Sequence, residues 1–323
     1  VVTFASGVSA FSAPNLIGGG FKVLSTQIVR SKANNHMEMA SVQVMVLFLI
    51  SIAVMLLIQF YGRKYPGISS DRTAVAVPAR KHKGALAAVG RWIVGIQIAL
   101  ILLPIGAIIY LSFMETGSIM QDIFPNQFTL DNYRMIFEKA RVLKPLLNSL
   151  KMSVIAVFAG LIITVPSAYL IARYQGKWNA AVRALLMLPA TMPASVIAIN
   201  LINTFDKESI FAFGQSLLGS FSILPIAYTI TALPMLLSSN EVAIQGLNRN
   251  VEEASKSLGA NMRQTFLRVI LPNITPGIAA GGVLIFIRTL GEYTMSALLY
   301  GVHNRPISIS IVTNMQEYKM GLS

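Results

Sequence analysis

The 323 residues are 54% hydrophobic and only 12% charged, with a mean hydropathy of +0.63, a balance too apolar for a water-soluble globule. The formal net charge of +13 does not point to nucleic acid, because the basic residues sit in short stretches between apolar runs and lack interleaved aromatics. The absence of cysteine excludes disulfides, thiolate metal sites and cysteine nucleophiles, and His36, His82 and His303 are widely spaced with no i,i+4 partner, so no metal site is expected. The class that remains is an integral membrane protein built as an all-α, polytopic helix bundle.

In chain order, residues 1–17 read as the close of a helix rich in Gly, Ser and Ala, broken by Gly18, Gly19 and Gly20. No Gly-Lys-Ser/Thr follows these glycines, so they predict a turn and not a phosphate loop. The sequence opens inside an apolar run at Val1, without an initiator methionine or a signal n-region, and reads as part of a longer polypeptide. Residues 39–62 carry no charge and are long enough to cross about 30 Å of hydrocarbon. Residues 63–91 then carry seven basic residues (Arg63, Lys64, Arg72, Arg80, Lys81, Lys83, Arg91) against the single acid Asp71, which assigns this linker to the cytoplasmic side.

Further spans are expected over 92–113, 152–172 and 184–205, with another helix inside 209–240, and the mixed-charge segment 115–148 falls outside. The turn bearing Arg173 and Lys177 is then cytoplasmic, and the one bearing Asp206, Lys207 and Glu208 external. Pro189, Pro193, Pro225 and Pro234 should kink these spans or free carbonyls. A last span over 274–299 contains Arg288 and Glu292, one helical turn apart. Charges at such depth must face each other, a neighbouring helix or water.

Residues 248–276 form the longest polar segment between strongly apolar runs. Asn250 with Glu253 is a capping-box pattern, Gly259 a helix stop, and Asn261 with Gln264 a second start. Two short helices kinked at Gly259 are expected, the second ending near Leu271 and Pro272, with Thr275 and Pro276 starting the next helix. Glu253-Ala254-Ser255, three residues, Gly259, nine residues, then Val269-Ile270-Leu271-Pro272 resembles the EAA loop of binding-protein-dependent ABC importer permeases. Ser255 departs from that pattern's second alanine and Val269 from its isoleucine. Phe128 to Tyr133 also resembles the F-T-L-x-N-Y stretch of this family, and Leu188-Pro189 with Pro193 its LP-x-x-x-P helix start.

The resemblance implies a type I (MetI-like) permease fold in a bacterial inner membrane, importing a small solute by alternating access. Its partners would be two cytoplasmic ATPase subunits and a solute-binding protein, with lipid around it and no nucleic acid. The chain itself would hold no cofactor and no catalytic residue; ATP and magnesium would bind the ATPase, since no Walker A motif occurs here. Coupling to the ATPase would fall to Glu253, Ala254, Ser255, Gly259, Val269, Leu271 and Pro272. Arg288, Glu292 and Tyr293 are the pathway or gate candidates. A membrane enzyme would need acid, base or metal clusters within the spans, where Arg288 with Glu292 is the single such pair, and an ion-driven carrier or channel would need no coupling loop.

An internal repeat is expected at a constant offset, pairing Phe4 with Phe286, Phe11 with Tyr293, Leu16 with Leu298, Ile17 with Leu299 and Gly19 with Gly301. Residues 1–60 then read as the last two helices of a first permease half, 61–91 as a linker, and 92–323 as a second half lacking its final helix. On this reading an earlier EAA-like loop precedes Val1 and one more apolar helix follows Ser323. The fused arrangement, with 288–293 and 303–309, looks most like the ferric-iron permeases; aminoethylphosphonate, polyamine and thiamine permeases are the alternatives.

Overall fold

The computed structural model describes residues 7, 10–34, 36–64, 85–115, 127–174, 176–207 and 214–317. Most of the basic linker and the repeat residue Phe4 lie outside them. Five helices are long and apolar enough to cross a membrane: Met37–Val54, Ala88–Ser112, Ala140–Arg173, Ile223–Gln245 and Met262–Leu290. They lie within α3 (Met37–Lys64), α4 (Ala85–Ser112), α6 (Ala140–Arg173), α9 (Ile223–Gln245) and the composite helix that ends in α12 (Leu271–Leu290). Shorter helices fill the gaps: α1 (Ser12–Ile17), α2 (Leu24–Ala33), α5 (Asp131–Glu138), α10 (Arg249–Ser257), α11 (Met262–Thr265), α13 (Thr294–Leu299) and α14 (Ile307–Gln316). No strand occurs among the described residues; Met114 and Phe128 form an isolated antiparallel bridge.

The span expected over 184–205 is instead α7 (Asn179–Met187) and α8 (Ala194–Phe205), bent by 105°. A 3₁₀ turn, Leu188–Thr191, precedes the bend. Proline explains it: Met192, just before Pro193, is held extended (φ −98°, ψ 127°), a conformation that cannot continue a helix. The expected span over 274–299 is also broken, since α12 stops at Leu290, Gly291 caps it and α13 begins at Thr294. The helix sought within 209–240 starts later, at Ile223.

The chain forms two compact units. One comprises Val1–Leu56 with Lys144–Ile309, and the other Leu57–Leu143 with Ser310–Ser323. In the first, α2, α3, α6, α8, α9 and α13 enclose a core that includes Ile28, Leu47, Met152, Ile199, Tyr228 and Leu298. Within this unit the buried Tyr228 and Ser296 hydroxyls meet at 2.6 Å, and Asn240 Nδ2 donates to Thr164 Oγ1 at 2.9 Å. In the second, Asn132 is buried and donates to the carbonyls of Ser112 and Met114, while the Tyr133 hydroxyl meets Ser112 Oγ at 2.6 Å. The F-T-L-x-N-Y stretch thus folds back to close the end of α4.

Where α9 packs along α12, the spacing Gly277-x-x-x-Gly281 lets the two backbones approach. A Cβ added at Gly281 would stand 2.4 Å from Ser239 Oγ, and one at Gly277 would stand 2.6 Å from Ala243 Cβ. Gly281→Leu is expected to cost about 1–3 kcal/mol through overpacking, read as a lower melting temperature in detergent. Gly95→Leu, where an added Cβ meets nothing within 4 Å, is the control. Equal shifts in the two variants would contradict close packing at Gly281.

Candidate functional site

The polar segment folds as an elbow, with its start two residues earlier than expected. Asn248, not Asn250, caps α10, its side chain accepting from Asn250 N at 2.9 Å. Gly259 takes φ +85°, the left-handed stop that its position after α10 predicts. Asn261 and Gln264 then form the expected reciprocal capping box, with both bonds at 2.9 Å.

The expected break at Leu271 and Pro272 does not occur. Pro272 has no N–H to give Arg268 O, and its ring would collide with that carbonyl in α geometry. The chain widens instead into a π turn over Phe266–Ile270 and runs on into α12. Asn273 Nδ2 donates to Val269 O at 2.6 Å and Thr275 Oγ1 to Leu271 O at 2.7 Å, so Thr275 braces a continuous helix and caps nothing. Pro276 lies inside it.

The elbow divides its residues between two faces. Glu253, Ala254, Gly259 and Pro272 are exposed, Val269 and Leu271 half-buried, and Leu258 at the tip is 88% exposed. Ser255 turns inward, its hydroxyl 3.1 Å from Thr265 Oγ1, which joins the two short helices. Beneath lie Tyr169, Leu237, Ile244, Ile270 and Ile274, with the rings of Tyr169 and Phe266 5.2 Å apart.

The anchor of the elbow is a buried ion pair that sequence reading missed. Arg173, the last residue of α6, donates from Nε to Glu252 Oε1 at 2.6 Å, and both side chains are under 10% exposed, at 9% and 8%. Its Nη2 reaches Ile244 O at 3.0 Å and Leu247 O at 2.8 Å, at the open C-terminal end of α9. One guanidinium therefore holds α6, α9 and α10 together. Charge parity put Arg173 and the elbow on one side of the membrane, but it did not single out Glu252 as the partner.

At the opposite end of this unit, Asn148 and Ser149 of α6 bond Arg305 O and Ile307 N, and Asn304 bonds Gly301 N and Ser220 O. The break at Gly291 lies on the way from α12 to this end. Beside it is a cavity of about 190 Å³ lined by Ser12, Thr231, Arg288, Thr289, Glu292 and Tyr293. Arg288 and Glu292 share this cavity but form no ion pair, because the helix ends between them. Glu292 Oε1 accepts from Met295 N at 2.9 Å, while Arg288 is exposed. Tyr293 stacks on Phe11, with ring centroids 5.6 Å apart and planes 13° from parallel, and its hydroxyl accepts from Asn15 Nδ2 at 3.0 Å. No group of three or more His, Asp or Glu able to hold a metal occurs among the described residues.

Residues 156–322 match the family described as "Binding-protein-dependent transport system inner membrane component". The chain is 29% identical over 314 residues to the probable ABC transporter permease protein y4fN of Sinorhizobium fredii, covering 97% of this chain and 55% of that protein. It is 24% identical over 321 residues to the putative ferric transport system permease protein FbpB 1 of Haemophilus influenzae, covering 93% and 46%. It thus spans about half the length of these two relatives. Permeases named for sulfate, molybdenum and spermidine/putrescine transport match as well. The fold resembles a chain of the bacterial ABC transporter that imports alginate, with a TM-score of 0.56 at 18% identity over 71% of this chain and 79% of that one.

Proposed function

Because this chain belongs to the family of binding-protein-dependent transport system inner membrane components, we propose that it is the membrane-spanning part of an ATP-driven importer in a bacterial cytoplasmic membrane. The observation that carries this reading is the elbow, whose inner face is pinned by Arg173 and Glu252 while Glu253, Ala254 and the Leu258 tip face outward. An interhelical connector needs no such anchored, outward-facing surface. In this reading the elbow docks on an ATPase subunit, one on each of two permease halves, and a solute-binding protein delivers the cargo from the other side. ATP and magnesium act on the ATPase, and this chain catalyses nothing.

The two-half organisation is supported by a recurrence of helices. α1 (Ser12–Ile17) and α13 (Thr294–Leu299) have the same length and stand in register at the repeat offset, and α2 and α14 do so within one residue. Ferric iron is the cargo we favour, on the fused arrangement and the near full-length similarity to a putative ferric permease; aminoethylphosphonate, polyamines and thiamine are the alternatives. Purification of the complete polypeptide from its own host tests the class. An ATP-hydrolysing subunit should accompany it, whereas solute uptake by the polypeptide without one would assign an ion-driven carrier or a channel.

Arg288 and Glu292 are assigned to the solute path. Arg288 is exposed and forms no hydrogen bond or ion pair among the described residues, so Arg288→Ala should impair uptake while leaving the amount of folded protein unchanged. Glu292 caps Met295, so its loss should cost about 1 kcal/mol of stability as well. The double change to Ser and Ala, which copies Ser6 and Ala10 of the repeat, should fold and transport poorly. Uptake and folded protein falling together would end the pathway assignment.

A further inference from the structure

We propose that Phe11 and Tyr293 together form the gate that closes the solute path between the two halves, resting on the importer reading above. In a pair of repeats related by a local two-fold axis, equivalent residues lie at mirrored distances from that axis, and they can touch each other only on it. Phe11 and Tyr293 are equivalent by sequence offset, and they stack, with centroids 5.6 Å apart and ring planes 13° from parallel. In two halves related in this way, their contact would lie on the axis.

The neighbouring residues repeat the pattern. Ser12 and Thr294, the next equivalent pair, are both hydroxyl residues, both begin six-residue helices, and both line the cavity that also holds Arg288 and Glu292. An aromatic residue followed by a hydroxyl residue thus faces the path from each half. Phe11 is buried although it begins a short helix in a peripheral stretch of sequence, and no fold requirement of α1 alone would bury it. Two further contacts bind the halves here. Asn15 Nδ2 donates to the Tyr293 hydroxyl at 3.0 Å, and Lys32 of α2 donates from Nζ to Leu298 O in the last turn of α13. Burial pushes the Lys32 ammonium below its ordinary pKa of 10.5.

Between α1 and α13 the contacts are few and separable, the stack and one neutral hydrogen bond, with the Lys32 bond to Leu298 O beside them between α2 and α13. The first two break together if α1 and α13 move apart, and the path past Ser12 and Thr294 then opens toward the end of the bundle remote from the elbow. Arg288 and Glu292 stand next to the stack, where a solute would meet them as it passed. Phe11 and Asn15 are thereby positioning residues for Tyr293, and their counterparts at the gate come from the other half.

These 323 residues hold no cysteine, so the test needs only that any cysteine elsewhere in the complex be replaced by serine. Phe11→Cys and Tyr293→Cys are introduced together into the complete polypeptide, purified with its ATPase in nanodiscs. Bridging by a short bifunctional thiol reagent is then compared in the nucleotide-free complex and after trapping with Mg-ATP and vanadate. Bridging should be efficient without nucleotide and fall severalfold on trapping, because α1 and α13 then stand farther apart in most complexes. The bridged complex should lose ATP hydrolysis stimulated by the binding protein and regain it on reduction. As a second variant, Phe11→Leu removes the ring but keeps a large apolar side chain at this buried position, and it should raise basal ATP hydrolysis in the absence of binding protein. A parent complex that hydrolyses ATP while bridging ignores the nucleotide state, or a bridged complex that still turns over normally, overturns the gate and leaves the importer reading intact. A parent that neither binds nor stimulates an ATPase overturns both.

Discussion

Arg173→Met should detach the elbow from the bundle. The substitution leaves Glu252 as a buried, uncompensated carboxylate, and removing one partner of such a pair typically costs about 3–5 kcal/mol. Two carbonyls at the end of α9, Ile244 O and Leu247 O, lose their donor at the same time. The expected result is a marked fall in melting temperature in detergent and loss of the co-purifying ATPase. Pairing the change with Glu252→Met removes the stranded charge and should restore roughly half of the lost stability, because the two carbonyls stay unpaired. Arg173→Met with unchanged stability, or a double variant no better than the single, would show that the ion pair is not the anchor.

The Gly259→Val variant separates shape from insertion. Gly259 sits at φ +85°, where an L residue pays roughly 1–2 kcal/mol and a β-branched one more. A side chain there would meet nothing within 4 Å in this chain, so the cost is backbone strain and not a clash. A strain of that size lowers the population of the elbow conformation by a factor of about 5–30. Membrane insertion should persist, because no span is touched, while uptake and ATPase association fall together. Gly259→Ala should fall in between. Normal uptake and association in the valine variant would reduce the segment to a connector.

Much of this was legible in the sequence because the signals were local. Uncharged runs, the basic linker and capping patterns depend on near neighbours, and the Gly259 stop and the Asn261–Gln264 box follow from them. What misled was also local chemistry overridden by context. Thr275 and Pro276 have the composition of a helix start, but the π turn before Pro272 absorbs the proline and keeps the helix continuous. Arg288 and Glu292 have the spacing of a helical pair, yet Gly291 ends the helix between them. The Arg173–Glu252 pair was out of reach for a different reason. Its partners are 79 residues apart, and nothing local distinguishes Glu252, which is buried, from Glu253, which is exposed.

The claim that the elbow is a docking surface is tested most directly at its tip. Leu258 is 88% exposed and these 323 residues hold no cysteine, so Leu258→Cys places a single thiol at the expected point of contact once any cysteine elsewhere in the polypeptide is replaced by serine. The complete polypeptide carrying this change is treated with a short thiol-to-amine cross-linker in membranes, and the adducts are identified by mass spectrometry. The account predicts one dominant adduct, with an ATP-hydrolysing subunit, that is lost when Gly259→Val is added. An adduct pattern no different from that of a cysteine at the exposed Val302, near the opposite end, would contradict it.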